Sequence, residues 1–314
     1  MVFQGLGPRN WPSLYNSIPV IQEAIHRGQD VLSAHDIWVE GQPLNLVKAC
    51  REGGLQLEEH SQTCWQQPCI FLASMALWKV WLEQNRESLN EEELRLLGFS
   101  FGEWSAATAA GCLPEEIGLL VVTMRGILTS QAGGSSLLIN ARSERLPIKD
   151  IWIQCKMIKR VWLANINSPF QGLISGEEAS LSQLEITLKE LNKSLVVRSI
   201  KLEGAFHTPL MQNARKELTK RLVPLEFKAA KVPLMLNATG EVTTNPASIK
   251  EKLLRQMSAR LNFKCRAQEI PPDAEIHELC IVPGSSPATS FIQQTHQVKY
   301  RRSFTGLVAA PFPA

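Results

Sequence analysis

Leu94-Arg95-Leu96-Leu97-Gly98-Phe99-Ser100-Phe101-Gly102-Glu103 is a short apolar run that enters a glycine-bounded turn, and Trp104-Ser105-Ala106-Ala107-Thr108-Ala109-Ala110-Gly111 follows it. The order reads as a buried strand, a sharp bend and a helix. The alanines permit the helix to pack closely against a sheet, and Gly111 can stop it. A serine between two glycines at such a bend stands exposed, because small neighbours let the backbone turn. The helix that begins at Phe101 then aims its free N–H groups at the place where an oxyanion would develop. Ser100 is therefore a candidate nucleophile on an α/β fold. The five residues alone also suit an ordinary glycine-rich turn; the strand before and the helix after distinguish the two.

Outward from the turn, Met75 to Gln84 carries apolar residues at helical spacing and predicts an amphipathic helix. Pro114 to Ser130 predicts another, and Gly133-Gly134 breaks it. Strands are expected at Ser136 to Ala141, Val161 to Ile166, Gly172 to Ser175 and Leu195 to Ile200, with helices at Ile148 to Met157 and Glu177 to Asn192. Asn167-Ser168-Pro169-Phe170 is the turn signal between the middle strands. This β-α-β-β-α-β order is the split βαβ, or ferredoxin-like, pattern. A helix at Met211 to Leu222 and a strand at Val232 to Asn237 return to the first body. The expected architecture is a large α/β-hydrolase-like domain with a parallel central sheet, residues 1–132 and 204–314, carrying an inserted ferredoxin-like unit at 133–203.

The 314 residues are 44% hydrophobic and 20% charged, which is ordinary for a globular protein with a sizeable core. A formal net charge of +3 is too weak to argue for nucleic acid. Seven cysteines are scattered without any C-x-x-C pair, so neither a zinc site nor another metal is expected. Their odd, irregular distribution suits reduced thiols in a cell interior. No apolar run is long enough to span a membrane. The start, Met1-Val2-Phe3 before Gly5 and Gly7, reads as the tail of a strand, with no signal or transit peptide visible.

A serine hydroxyl needs a base. Of six histidines, five sit in polar or mixed segments without a companion signal. His207, in Gly204-Ala205-Phe206-His207-Thr208-Pro209, follows an expected strand and precedes an expected helix. Strand ends are where α/β enzymes gather catalytic groups, although a core histidine with a satisfied hydrogen bond stays open for any single position.

The blocks Gln66-Gln67-Pro68 before Ala73-Ser74, Gly98-Phe99-Ser100-Phe101-Gly102-Glu103, Met124-Arg125-Gly126, Asn167-Ser168-Pro169, Gly204-Ala205-Phe206-His207 and Arg255-Gln256-Met257 stand in one order from Phe3 to about Phe304. In that order and spacing the chain resembles the malonyl-CoA:acyl carrier protein transacylases of fatty acid synthesis. Phe99, where most members have a histidine, and the Gly204 to Thr208 block look like the animal mitochondrial branch. That resemblance implies the mitochondrial matrix as the location, and the cytoplasm otherwise.

Carried onto this chain, the resemblance implies a ping-pong acyl transfer. Ser100 attacks the malonyl thioester of coenzyme A, and His207 serves as base and then as acid. The backbone N–H groups of Leu6 and Phe101 form the oxyanion hole. A carbonyl from Gln256, rather than a carboxylate, orients His207, so a Ser-His dyad is expected in place of a triad. Arg125 pairs with the free malonyl carboxylate, Phe206 crowds a 2-methyl branch, and Gln67, Asn167 and Gln171 help to position substrate. The implied partners are malonyl-CoA and acyl carrier protein, with no permanently bound cofactor, no nucleic acid and a monomeric chain. The first loop reads Gln4-Gly5-Leu6-Gly7-Pro8-Arg9 where the family has Pro-Gly-Gln-Gly-Ser-Gln. An acyl hydrolase on the same scaffold and a weakly active carrier-binding module remain alternatives; Lys156, Lys159, Arg160, Lys189, Lys193 and Arg198 could meet an acidic carrier.

Overall fold

The computed structural model describes residues 1–5, 10–57, 62–141, 145–200, 204–281, 287–295 and 300–304. Leu96 and Leu97, and Val2 and Phe3, are buried, so both strands lie covered inside a sheet. The sheet runs in the order 242–243, 234–235, 96–98, 2–3, 275–279 and 300–304. Every neighbouring pair is parallel except the edge pair 242–243 with 234–235. Burial on both faces explains why Leu94 to Gly98 reads as an apolar run rather than an alternation.

The expected helix at Met75 to Gln84 is the second half of a longer one, Thr63–Asn85, with Pro68 inside its first two turns. It is buried nearly throughout, which its all-round apolar composition requires. The helix Glu115–Ser130 packs against it. Trp65, Phe71, Trp104 and Val122 belong to the largest apolar cluster of the molecule.

The second sheet has the order 261–262, 161–168, 171–176, 135–140 and 196–200. Its elements from Ser135 to Ile200 follow the β-α-β-β-α-β sequence expected from the periodicity, with helices Ile148–Cys155 and Glu178–Leu191. A separate buried cluster, including Leu137, Ile151, Leu163, Ile174 and Leu184, lies between these strands and helices. The fold is thus α/β with two mixed sheets. Among the described residues the sequence reading missed six strands: Trp38–Val39, Gln42–Pro43, Val242–Thr243, Leu261–Asn262, Glu275–Leu279 and Tyr300–Phe304. Val242–Thr243 makes the antiparallel edge of the first sheet, and Leu261–Asn262 joins the second sheet in parallel with Val161–Ser168. Four of the six are two residues long, below the length at which a pattern can be read, while Glu275–Leu279 and Tyr300–Phe304 have five residues each.

The strand expected at Val232 to Asn237 is confined to Leu234–Met235. Asn237 leaves the ladder because its backbone N–H donates to the Glu103 carboxylate. Among the described residues no helix is long and apolar enough to cross a membrane.

Candidate active site

The turn after Leu96–Gly98 is so tight that its glycines are steric necessities. A Cβ on Gly98 would lie 2.1 Å from the backbone nitrogen of Glu103, and one on Gly102 would lie 2.3 Å from the Gln4 carbonyl oxygen. The bend is tied to the central strand by the Phe99 N–H, which donates to the Phe3 carbonyl at 2.8 Å. Ser100 is held at φ +53°, left-handed for a residue with a side chain. Such a conformation costs about 1–3 kcal/mol and persists only where its surroundings impose it. It presents Oγ 2.7 Å from Nε2 of His207. Helix Gly102–Ala109 starts directly after the turn. The Phe101 N–H at its head has no hydrogen-bond acceptor among the described residues.

His207 is 107 positions away in sequence, also at positive φ, +61°. Its backbone N–H donates to Met257 and its ring Nδ1 donates to the Gln256 carbonyl at 2.6 Å. A carbonyl can only accept, so the proton sits on Nδ1 and Nε2 is left as an acceptor facing Ser100. Burial holds the imidazole down, the Gln256 hydrogen bond opposes it and the Arg125 charge adds a smaller lowering, with a net value of about 4. The ring is therefore neutral near pH 7.

Arg125 projects from helix Glu115–Ser130 and is completely buried. Its Nη1 donates to Gln67 Oε1 at 2.5 Å. Gln67 is locked in turn by its Nε2, which donates to Thr63 and Thr129 hydroxyls at 3.0 Å each. The Phe101 and Phe206 rings lie 5.3 and 5.6 Å from the guanidinium carbon, within cation–π range. Arg125 Nε has no partner among the described residues. Burial lowers the guanidinium to about 9, still charged at pH 7. Among the described residues this buried cation is held by an amide and two rings, which makes it a ready receptor for one carboxylate.

The described residues hold no group of three His, Cys, Asp or Glu side chains arranged for a metal ion. The site is thus an activated hydroxyl, a neutral imidazole with a fixed tautomer, a helix head and a buried cation. That set suits acyl transfer from an anionic acyl donor.

The acyl transferase domain model matches residues 12–281. The chain belongs to the acyl transferase family. It is 30% identical over 270 residues to the malonyl CoA-acyl carrier protein transacylase of Bacillus subtilis, covering 83% of this chain and 77% of that protein. An acyl carrier protein S-malonyltransferase structure from Vibrio cholerae superposes with a TM-score of 0.75 at 25% identity, covering 96% and 95%. The malonyl-transacylase PlMCAT, solved with its type II PKS acyl-carrier protein AntF, shares the fold with a TM-score of 0.78 at 23% identity, covering 98% and 97%.

In this acyl transferase the fold brings together Ser100, Phe101, Arg125, Gln67, Phe206, His207 and Gln256, drawn from five separate stretches of chain. Asn167 donates to Gln171 at 3.0 Å on adjoining strands of the second sheet, and its Oδ1 is buried without a partner among the described residues. Leu6 lies outside the described residues. Gln67, expected to help position substrate, belongs to a helix and serves as the Arg125 acceptor. Sequence reasoning missed Glu103, Asn237, Thr63 and Thr129, which bind the site from beneath. An acidic residue three positions after the serine was the one available signal, and nothing local gave its partners.

Proposed function

We infer that this acyl transferase moves a malonyl group from malonyl-CoA to the phosphopantetheine thiol of acyl carrier protein, through a malonyl-Ser100 ester, and so supplies fatty acid synthesis. The observation that carries the reading is the 2.7 Å contact of Ser100 with His207 beside the buried Arg125. The Bacillus subtilis relative, by its name, acts between malonyl CoA and acyl carrier protein.

In the first half-reaction the Ser100 proton passes to His207 Nε2 as Oγ attacks the thioester carbonyl. The carbonyl oxygen becomes an oxyanion, held by the Phe101 N–H and, in the proposed loop geometry, that of Leu6. Collapse breaks the C–S bond, and the departing coenzyme A sulfur takes the proton from His207. In the second half the carrier thiol gives its proton to His207 while its sulfur attacks the ester. Collapse then returns the proton to Ser100. An imidazole held near 4 is a modest base but a ready acid, which favours the step that expels the leaving group.

Arg125 selects the acyl group. A malonyl carboxylate can pair with it, whereas a neutral acetyl group leaves the buried charge unmatched. Pairing also offsets the Arg125 field that depresses His207, so binding the right acyl group strengthens the base. The Phe206 ring lies 5.6 Å from the guanidinium carbon, and its bulk is assigned to disfavour a 2-methyl branch. Asn167 and Gln171 are assigned to the substrate cleft.

We read residues 1–132 and 204–314 as an α/β-hydrolase-like catalytic domain and 133–203 as a ferredoxin-like insertion; the separate buried cluster supports that division. A monomer in the mitochondrial matrix is the proposed state, checked by light scattering and by fractionation of cells that express a tagged protein.

Intact-mass spectrometry after malonyl-CoA tests the function. A malonyl adduct on Ser100 that acyl carrier protein discharges is expected. Rapid loss to water would mark a hydrolase instead, and no adduct with carrier binding intact would mark a binding module.

A further inference from the structure

Glu103 is the second residue of the helix beneath the nucleophile and is 1% exposed. Its Oε1 accepts the Asn237 backbone N–H at 2.5 Å, and its Oε2 accepts Gln256 Nε2 at 2.6 Å. The same Gln256 amide also donates to the Ser100 carbonyl at 3.1 Å. The Gln256 backbone carbonyl is the group that receives the His207 Nδ1 proton. From the other side, Asn237 Nδ2 donates to the Gly98 carbonyl at 2.5 Å. One carboxyl group therefore ties the serine turn to the two distant segments that close around it.

A buried carboxyl group that meets neutral amides among the described residues is a costly fastening. Capping the helix would need no such cost, since a serine or asparagine could do it. Burial raises the Glu103 carboxyl to about 8, opposed by the Asn237 and Gln256 hydrogen bonds. The geometry has a more specific consequence. Gln256 is held by its side chain on Glu103 and holds His207 by its backbone, so a shift at Glu103 tilts the imidazole relative to Ser100.

We propose that Glu103 is a positioning residue for acyl transfer, acting through Gln256 to set the orientation of His207 towards Ser100. The proposal rests on the reading of Ser100 and His207 as the reacting pair. No proton passes through Glu103.

The test compares wild type, Glu103→Gln, Gln256→Ala and the double variant. Glu103→Gln keeps the shape but turns an NH2 group towards a position that needs an acceptor. Gln256→Ala keeps the backbone carbonyl and removes the amide. Two rates are measured per folded molecule: malonylation of Ser100 in a single turnover, and labelling of Ser100 by a fluorophosphonate, which needs the base but no malonyl group. Glu103→Gln is expected to slow both about 10-fold or more, because small misplacements of reacting groups cost up to about 100-fold. KM for malonyl-CoA should stay within about twofold, since the acyl site is untouched. The double variant should lose little beyond either single one, as residues in one network do not add.

Wild-type rates in Glu103→Gln, or single losses that multiply in the double variant, would overturn the proposal. If wild type takes up fluorophosphonate but no malonyl group, the malonyl reading fails, and the labelling rates still decide the role of Glu103. Should Glu103→Gln not fold, Gln256→Ala alone decides: a wild-type rate there overturns the link, and a loss supports it.

Discussion

Arg125 Nη1 donates to Gln67 Oε1 at 2.5 Å, so the buried cation whose charge acts on His207 is held by a neutral amide. A carboxylate in that position would satisfy the charge internally and leave nothing for a substrate to match. The amide orients the guanidinium and leaves its charge available.

Arg125→Ala is expected to reduce malonyl transfer by roughly 100-fold or more, since stripping one partner from a buried charge pair costs about 3–5 kcal/mol. Acetyl transfer should fall far less. The ratio of the two, measured with malonyl- and acetyl-CoA, is the readout. Equal acetyl and malonyl transfer in the wild type would sink the assigned role.

Gln67→Leu leaves Arg125 Nη1 without its acceptor and takes one donor from each of the Thr63 and Thr129 hydroxyls. A cost of about 1–3 kcal/mol in stability is expected from the orphaned buried groups. KM for malonyl-CoA should rise by roughly 10-fold as the guanidinium loses its fixed direction. Denaturant melts and steady-state kinetics separate the two effects.

The pH dependence follows from His207, held at about 4 by burial against an ordinary 6.5. Between those values the unfolded chain binds a proton that the folded chain does not, so this group makes stability rise with pH there. That gain is complete above 6.5 and is withdrawn as pH falls towards 4. The acylation rate should likewise lose its base only as pH approaches 4, giving a flat profile from about pH 5.5 to 7.5. Removing the Arg125 charge should move the imidazole upward, which an NMR titration of His207 would register. An acid limb near 6.5 in the wild type would contradict the buried neutral imidazole.

Gly98→Ala places a methyl group where the Glu103 backbone nitrogen lies 2.1 Å away. Neither partner is a flexible side chain, so the turn must open. Destabilisation of roughly 3 kcal/mol and loss of Ser100 reactivity are expected. Calorimetry and fluorophosphonate labelling check them, and a native melting temperature would refute the steric argument.

Local order was legible wherever a periodic segment was long enough. Helix Glu178–Leu191, strand Val161–Ser168 and helix Gly102–Ala109 lie within two residues of their expected bounds. Two-residue strands such as Leu261–Asn262 carry no readable period, because only their neighbours' ladders make them strands. The same limit applies within the site. Ser100 was readable because its glycines are a local steric demand. Glu103 was not, because its partners lie 134 and 153 residues away.

The chain's own order therefore determined the nucleophile turn and the candidate base, since each rests on residue chemistry and short-range geometry, while the cation came only from the resemblance carried by the ordered blocks. Only the tertiary structure decided that they meet: that Nε2 faces Oγ, that Gln256 turns the ring by its backbone, and that Gln67 holds Arg125 without neutralising it. Those facts depend on hydrogen bonds between segments far apart in sequence, and no local pattern encodes which distant amide a side chain will reach once the core has closed.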